Sequence, residues 1–183
     1  MNSPFHYHPL LRVLHWLMAL LILTMIGVGW YMTGLAKDDA LRGTLYGLHK
    51  STGVLVLMLL VVRLAVRMET TVPPLPTGIP GWEKRLADIT HHVFYLFFFL
   101  VPMSGIWMSN SWGHGVSFYG LFEFSFFPAN QAIAPRSSET HEIMAFTLLG
   151  LIVLHVVGVI KHRFIDGHDV LYRMTGTLPR KNP

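Results

Sequence analysis

Two histidines within one apolar stretch are the residues of this chain best suited to chemistry. His141 and His155 lie fourteen positions apart in a segment from Thr140 to Lys161 that is long and apolar enough to cross a bilayer. At ~1.5 Å and about 100° per residue, fourteen steps move ~21 Å along a helix and return to within ~40° of the starting direction. Because ionisable side chains are costly in lipid, two on one face predict two stacked cofactor sites, most simply two haems.

Four apolar segments must position these side chains. They span about 11–33, 45–66, 87–108 and 140–161, in a 183-residue chain that is 52% hydrophobic and 13% charged. A proline-rich stretch at 71–80 cannot be helical and separates the second segment from the third. The pattern predicts an all-α membrane protein with a single domain over residues 1–183. Its fold would be an up-down-up-down bundle of four transmembrane helices, with two haems stacked between them.

Basic residues indicate how the bundle is oriented. Ten of the fourteen Lys and Arg residues lie near the N-terminus, the second linker or the C-terminal tail, and four lie near the other two loops. This bias predicts that both termini are cytoplasmic. The net charge of +4 therefore fits a membrane protein and does not indicate nucleic-acid binding. There is no cysteine, which excludes c-type haem attachment and cysteine-ligated iron–sulfur clusters.

The predicted topology selects partners for the two histidines. His49 falls at the depth of His141 on the outer side, and His15 at the depth of His155 on the inner side. Two neutral imidazoles fill both axial positions of a haem iron, which suits electron transfer. His91 and His92 lie near the depth of His15, so either remains an alternative inner ligand. The other five histidines are interpreted as solvated: His6, His8, His114, His162 and His168.

Further residues share the inward face of the second segment. Gly53, one turn after His49, would leave room for a porphyrin. Arg63 and Arg67 follow His49 by fourteen and eighteen residues and point the same way, so Arg63 is a candidate for an inner haem propionate. The alternative for these arginines is a cationic anchor at the membrane surface.

The loop at 109–138 is apolar and aromatic but interrupted by glycines, so it is expected to lie at the outer interface as a cap. Lys50 and Arg136 are the basic residues expected on this outer, donor side.

Several motifs resemble the bacterial cytochrome b561 family. They are L-H-W at 14–16, L-H-K-S-T-G-V-L at 48–55, H-H-V-F-Y-L at 91–96, P-M-S-G at 102–105, T-H-E at 140–142 and the ending at 161–176. The resemblance implies a protein of the bacterial inner membrane with two haems b. It implies iron ligands at His15, His49, His141 and His155, and it matches a further family histidine to His91. It also implies exchange of electrons with the quinone pool, with ubiquinone as substrate. One branch of that family resembles a superoxide-oxidising, quinone-reducing enzyme.

Two classes of function follow. The first is a di-haem oxidoreductase that moves electrons between an outer donor, superoxide being one candidate, and quinone; a variant of it is the cytochrome subunit of a larger dehydrogenase. The second is a non-catalytic, histidine-lined carrier of protons, metal ions or haem. The expected partners are the lipid bilayer, quinone, and either a redox protein or a second copy of the chain.

Overall fold

Four long helices form most of the computed structural model, which describes residues 5–177. They are α1 (Pro9–Gly34), α2 (Ala40–Glu69), α3 (Gly81–Ser111) and α4 (Ala134–Phe164), followed by the short α5 (Tyr172–Thr175). Each of the four is long and apolar enough to cross a membrane. The prediction of a four-helix membrane protein is therefore confirmed. Every helix begins earlier and ends later than its apolar run.

Capping residues explain where several helices begin. The His8 side chain accepts a hydrogen bond from the backbone N–H of Leu10 at 3.3 Å, and a proline occupies the first turn of α1. Asp39 accepts from the N–H of Leu41 at 2.8 Å and starts α2. Such side chains pair backbone N–H groups that a helix start leaves free. The helices therefore extend past the apolar runs into polar sequence.

The helices pack as neighbours along the chain, α1 with α2, α2 with α3, and α3 with α4. A buried apolar core fills the middle of the bundle, and its members come from all four helices: Met18, Ile22, Val56, Leu60, Phe94 and Leu148. Leu148 lies seven residues from both His141 and His155, so this core separates two levels of histidines. The outward faces remain apolar, with Leu20 65% exposed and Leu154 68% exposed, as contact with lipid requires.

A small β-hairpin follows α3, where the sequence predicts only an irregular cap. Strand β1 (Val116–Phe118) pairs antiparallel with β2 (Phe122–Phe124), and the turn contains Tyr119 and Gly120 at positive φ. The hairpin is fastened to α2 by Ser51, whose hydroxyl donates to the Ser117 carbonyl at 2.8 Å and accepts from the Tyr119 N–H at 3.0 Å. The turn therefore packs against α2 about three helical turns after its start.

The two described ends of the chain meet on the opposite side of the bundle. The Tyr7 N–H donates to the Arg173 carbonyl at 3.1 Å, and His6 Nε2 lies 2.9 Å from the Thr177 carbonyl oxygen. Arg180 and Lys181, which contribute to the charge bias, lie outside the described residues. We call this the termini side of the bundle and the other the hairpin side.

Candidate functional site

On the hairpin side, His49 of α2 faces His141 of α4. Their ring centres are 6.3 Å apart, and the ring planes are almost perpendicular, at 87°. A histidine nitrogen lies about 2 Å from a bound first-row metal, so two imidazoles on opposite sides of one metal have centres about 6 Å apart. The separation therefore fits a pair that shares one iron.

The orientation of His141 is fixed by α3. Its Nδ1 lies 3.1 Å from the Val101 carbonyl oxygen and 3.0 Å from the Ser104 hydroxyl, which itself donates to Val101 at 2.7 Å. Since a carbonyl oxygen can only accept, the bond to Val101 requires the hydrogen to sit on Nδ1. The lone pair is then on Nε2, the nitrogen left free to bind a metal.

Glycines create the space in which the two rings sit. A Cβ at Gly29 would lie 3.2 Å from Cε1 of His49, and one at Gly105 would lie 3.1 Å from Cε1 of His141. Both distances are tighter than ordinary van der Waals contact. Gly53, predicted to make room for a porphyrin, is buried, and a Cβ there would meet the Met25 methyl at 3.6 Å.

A cavity of about 850 Å³ contains both rings and all three glycines. Most of its wall is apolar. Its charged or polar lining residues include Lys37, Arg42, Lys50, His114 and Glu142. In the part of the chain that the structure describes, Nδ1 of His49 is buried without a hydrogen-bond partner. An apolar cavity of this size fits a haem, because hydrogen bonds orient His141 while a ring nitrogen of His49 has no hydrogen-bond partner in the described structure.

The basic residues predicted on this side differ in their surroundings. The Lys50 ammonium donates to the Gly115 carbonyl at 3.0 Å and to the Ser109 hydroxyl at 3.4 Å, so it also holds the hairpin. Arg136 is exposed at the start of α4. Arg42 is one of the four basic residues near the other two loops. It lines the cavity and donates to the Leu35 carbonyl at 2.8 Å.

On the termini side the structure brings together three histidines rather than two. His155 packs against His91, with ring centres 5.8 Å apart, and against Phe94 at 5.4 Å. His15 lies close enough to His155 and His91 to interact with both electrostatically, and its ring contacts Trp16. His91 is exposed, whereas the other two are half-buried. The structure thus keeps His91 beside His15 as a candidate partner of His155.

Arg63 reaches this group from α2. Its Nη1 donates to the Leu11 carbonyl, one turn before His15, at 3.4 Å, and its guanidinium lies 6.0 Å from the centre of the Tyr95 ring. Its Nε is buried without a partner among residues 5–177. Arg67 is half-buried in the last turn of the same helix. Arg63 therefore lies beside α1, about one turn from His15.

His162 is less solvated than the sequence predicts. Its Nδ1 lies 3.0 Å from an Asp166 carboxylate oxygen, and 19% of its side chain is exposed. Lys161 bridges Asp166 and Glu83, at 2.7 and 2.9 Å. The hydrogen bond from the Lys161 ammonium holds the pKa of the Asp166 carboxyl below its usual value. These contacts join the end of α4 to the start of α3.

Comparison with known proteins assigns the chain to a family. A family model described as prokaryotic cytochrome b561 matches residues 6–177. Cytochrome b561 homolog 2 of Escherichia coli (strain K12) is 33% identical over 180 residues, which cover 96% of this chain and 94% of that protein. Homolog 1 of the same organism is 26% identical over 172 residues, covering 92% and 94%. A Yersinia pestis protein named probable superoxide oxidase CybB is 25% identical over 170 residues, covering 92% and 93%.

These matches span almost all of the described chain, and the cavity with its facing histidines has the size and chemistry that a haem requires. The chain is a multi-pass membrane protein that binds haem b and serves electron transport, and it belongs to the prokaryotic cytochrome b561 family.

Proposed function

We propose that this protein carries two haems b, one at each histidine level, and transfers electrons between a donor on the hairpin side and quinone in the membrane. The observation that carries the proposal is that α4 supplies one histidine at each of the two levels. One helix holds His141 opposite His49 and, fourteen residues later, His155 opposite His91 and close to His15. When bound, haem supplies a reversible one-electron couple at each level.

The ligands follow from this arrangement. On the hairpin side they are His49 and His141. On the termini side we assign His155 together with His15, as the family resemblance implies, and we keep His91 as the alternative. Arg63 would hold a propionate of the second haem, with Arg67 one turn further out. Gly53 contributes to the wall of the first site.

The charged rim of the hairpin-side cavity supports an anionic donor. Lys37, Arg42 and Lys50 line that cavity together with one acidic residue, Glu142, and Arg136 is exposed on the same side. The four basic residues raise the local concentration of small anions. Superoxide is the donor we favour, because the similar Yersinia protein carries the name probable superoxide oxidase. We therefore propose a superoxide:ubiquinone oxidoreductase.

The charge bias also supports an orientation. Eight described Lys and Arg residues lie toward the termini side, and the four just named lie toward the hairpin side. We propose that the protein lies in a bacterial inner membrane with both termini cytoplasmic. The hairpin would then face outward, where an extracytoplasmic donor arrives.

A second candidate is the cytochrome subunit of a larger dehydrogenase. The hairpin and the chain after it expose Leu121, Phe122 and Phe126, at 77%, 51% and 65%. A cluster of exposed apolar side chains is typical of a docking surface for another protein. Membership in a cytochrome family weighs against the third candidate, a histidine-lined carrier that lacks redox chemistry.

Haem stoichiometry tests the proposal directly. The purified protein should contain two haems b per chain, and His49→Ala or His141→Ala should each leave one, since no other histidine ring contacts this pair in the described chain. His92→Ala is the matched control, because His92 is exposed and its ring contacts no other histidine ring in the described chain. Unchanged haem content in both ligand variants would show that the pairing is wrong.

A further inference from the structure

A buried arginine in the C-terminal segment has no counter-ion among the described residues. Arg173 of α5 is 8% exposed. Its Nη2 donates to the Pro73 carbonyl and, at 3.5 Å, to the Tyr7 hydroxyl. The guanidinium lies 5.1 Å from the centre of the Tyr7 ring. Its Nε is buried and unpaired within residues 5–177, and no described carboxylate lies within ion-pair distance of it. Burying a charge without a partner costs free energy, and an anion bound beside Arg173 would offset that cost.

Helix α5 places this charge beside the termini-side histidines. The Trp16 indole N–H donates to the Met174 carbonyl at 3.2 Å. Because Trp16 directly follows His15, this bond docks α5 beside His15. Arg12 strengthens the docking by donating to the Thr175 carbonyl at 2.8 Å. Arg173 also lies close enough to His91 to interact with it electrostatically, as Arg63 does.

Two guanidiniums therefore approach one histidine group from different elements. Arg63 comes from α2, Arg173 comes from α5, and each has a buried Nε without a partner in the described structure. A haem bound at this level would bring two carboxylates, its propionates, to the same region. Arginine is the side chain best suited to a buried carboxylate, because its planar fork offers parallel donors.

We propose that Arg173 binds a propionate of the termini-side haem, so that the C-terminal segment is part of that cofactor site. This inference rests on the proposed second haem. Arg63 and Arg173 would each neutralise one propionate, and α5 would close the site on the termini side.

The test compares haem b with its dimethyl ester, in which both carboxylates are uncharged. Each is titrated into apoprotein that carries His49→Ala, so that only the termini-side site is measured. In this background, Arg173→Gln should weaken haem b binding about tenfold, the loss expected for one charge-assisted hydrogen bond. It should weaken binding of the ester much less, because the ester offers no carboxylate. The difference between the two ligands measures the contact itself and separates it from any general loss of structure.

Arg85→Gln provides the control, because Arg85 is an exposed cation near the start of α3 on the same side. It should affect neither ligand. The midpoint potential gives a second readout. Removing a nearby positive charge disfavours the reduced haem, so Arg173→Gln should lower its potential while Arg85→Gln should not.

The outcomes separate this inference from the proposed function. One haem per chain in the unmodified protein overturns both. Two haems, with equal losses for haem b and the ester in Arg173→Gln, overturn the role of Arg173 alone. Equal binding of haem b and the ester to the parent protein means that another anion, such as a lipid phosphate, meets the charge, and this also overturns the inference. If Arg173→Gln does not accumulate, Arg173→Lys carries the same comparison, because lysine keeps the charge but loses the fork.

Discussion

The imidazole of His49 lies in a space that exists because residue 29 has no side chain. A Cβ at Gly29 would approach Cε1 of His49 to 3.2 Å, whereas a Cβ at Gly27, two residues away, meets nothing within 4 Å in the described structure. We expect Gly29→Ala to displace the ring and weaken haem binding on the hairpin side several-fold. Gly27→Ala should leave binding unchanged and stabilise α1 by up to about 1 kcal/mol, because alanine is the better helix former.

Haem titration and thermal unfolding in detergent measure these two effects. Since both substitutions add the same methyl group to the same helix, any difference between them reports on contact with His49. Equal haem affinity in the two variants would mean that the ring adjusts without cost.

The choice between His15 and His91 is a second question about single side chains. His155 contacts the His91 ring, but His15 matches the family's ligand motif. We expect His15→Ala to remove the termini-side haem. We expect His91→Ala to retain that haem with an altered midpoint potential, because a neighbouring polar ring is lost. Haem content and potentiometric titration of both variants decide between them, and the reverse result would assign the ligand to α3.

The histidine spacing predicts which side chains could meet, but not what supports them. Fourteen residues on one helix determine two levels whatever surrounds them. The bond from His141 to Val101, by contrast, depends on how α3 lies against α4. The roles of Gly29 and Gly105 could not be predicted from the sequence either, because each glycine makes room for a histidine ring on another helix. Arg173 meets Pro73, a residue one hundred positions away, which no local pattern indicates.

Some features of the helices and strands could likewise be predicted from the sequence, and others could not. Four helices were predictable, because a lipid-exposed segment must be apolar along its whole length and must pair its own backbone. Their ends were not, since caps such as Asp39 lie in polar sequence. The hairpin was missed for another reason. Its strands are three residues long and too short to show alternation, and its attachment depends on hydrogen bonds to Ser51 in a different element.

Ser51 is therefore the residue through which the hairpin can be tested. It is 3% exposed and makes hydrogen bonds with both Ser117 and the Tyr119 N–H. Ser51→Ala leaves these backbone groups without their partner, which costs about 1–3 kcal/mol for a buried group. We expect amide exchange across 116–124 to accelerate at least tenfold while exchange in α4 stays the same.

The matched control for this experiment is Ser125→Ala. Ser125 is exposed just after the hairpin, and its hydroxyl donates only to a nearby backbone carbonyl, that of Phe127, at 3.2 Å. Exchange in the hairpin should be unaffected by this change. Equal protection in both variants would show that Lys50 and strand pairing hold the hairpin without Ser51.

At the scale of the whole molecule, the cavity on the side where we place the donor is lined by three basic residues, Lys37, Arg42 and Lys50, and by one acidic residue, Glu142. If superoxide is that donor, the purified protein should be reduced by it rapidly without any partner, and the rate should fall as salt rises. At 0.1 M ionic strength charges more than about 10 Å apart are largely screened, so attraction through Lys37, Arg42 and Arg136 would be lost. Stopped-flow absorbance of the haem bands at several salt concentrations measures this.

Arg136→Gln refines the experiment, because it removes an exposed charge without touching the residues that hold the hairpin. It should reduce both the rate at low salt and the dependence on salt, while the rate at high salt remains near that of the parent. A slow rate that only an added subunit restores would instead support the dehydrogenase alternative.

The meeting of the two chain ends has a consequence for the order in which the protein is made. Both residues proposed as ligands of the hairpin-side site have been synthesised once the first two turns of α4 are made, because His141 is the later of the two. The termini-side group needs His155 and then α5, which follows α4 in the chain and docks on α1. The ligands of the first site are therefore synthesised before those of the second, and the second site is completed only when α5 folds back onto α1.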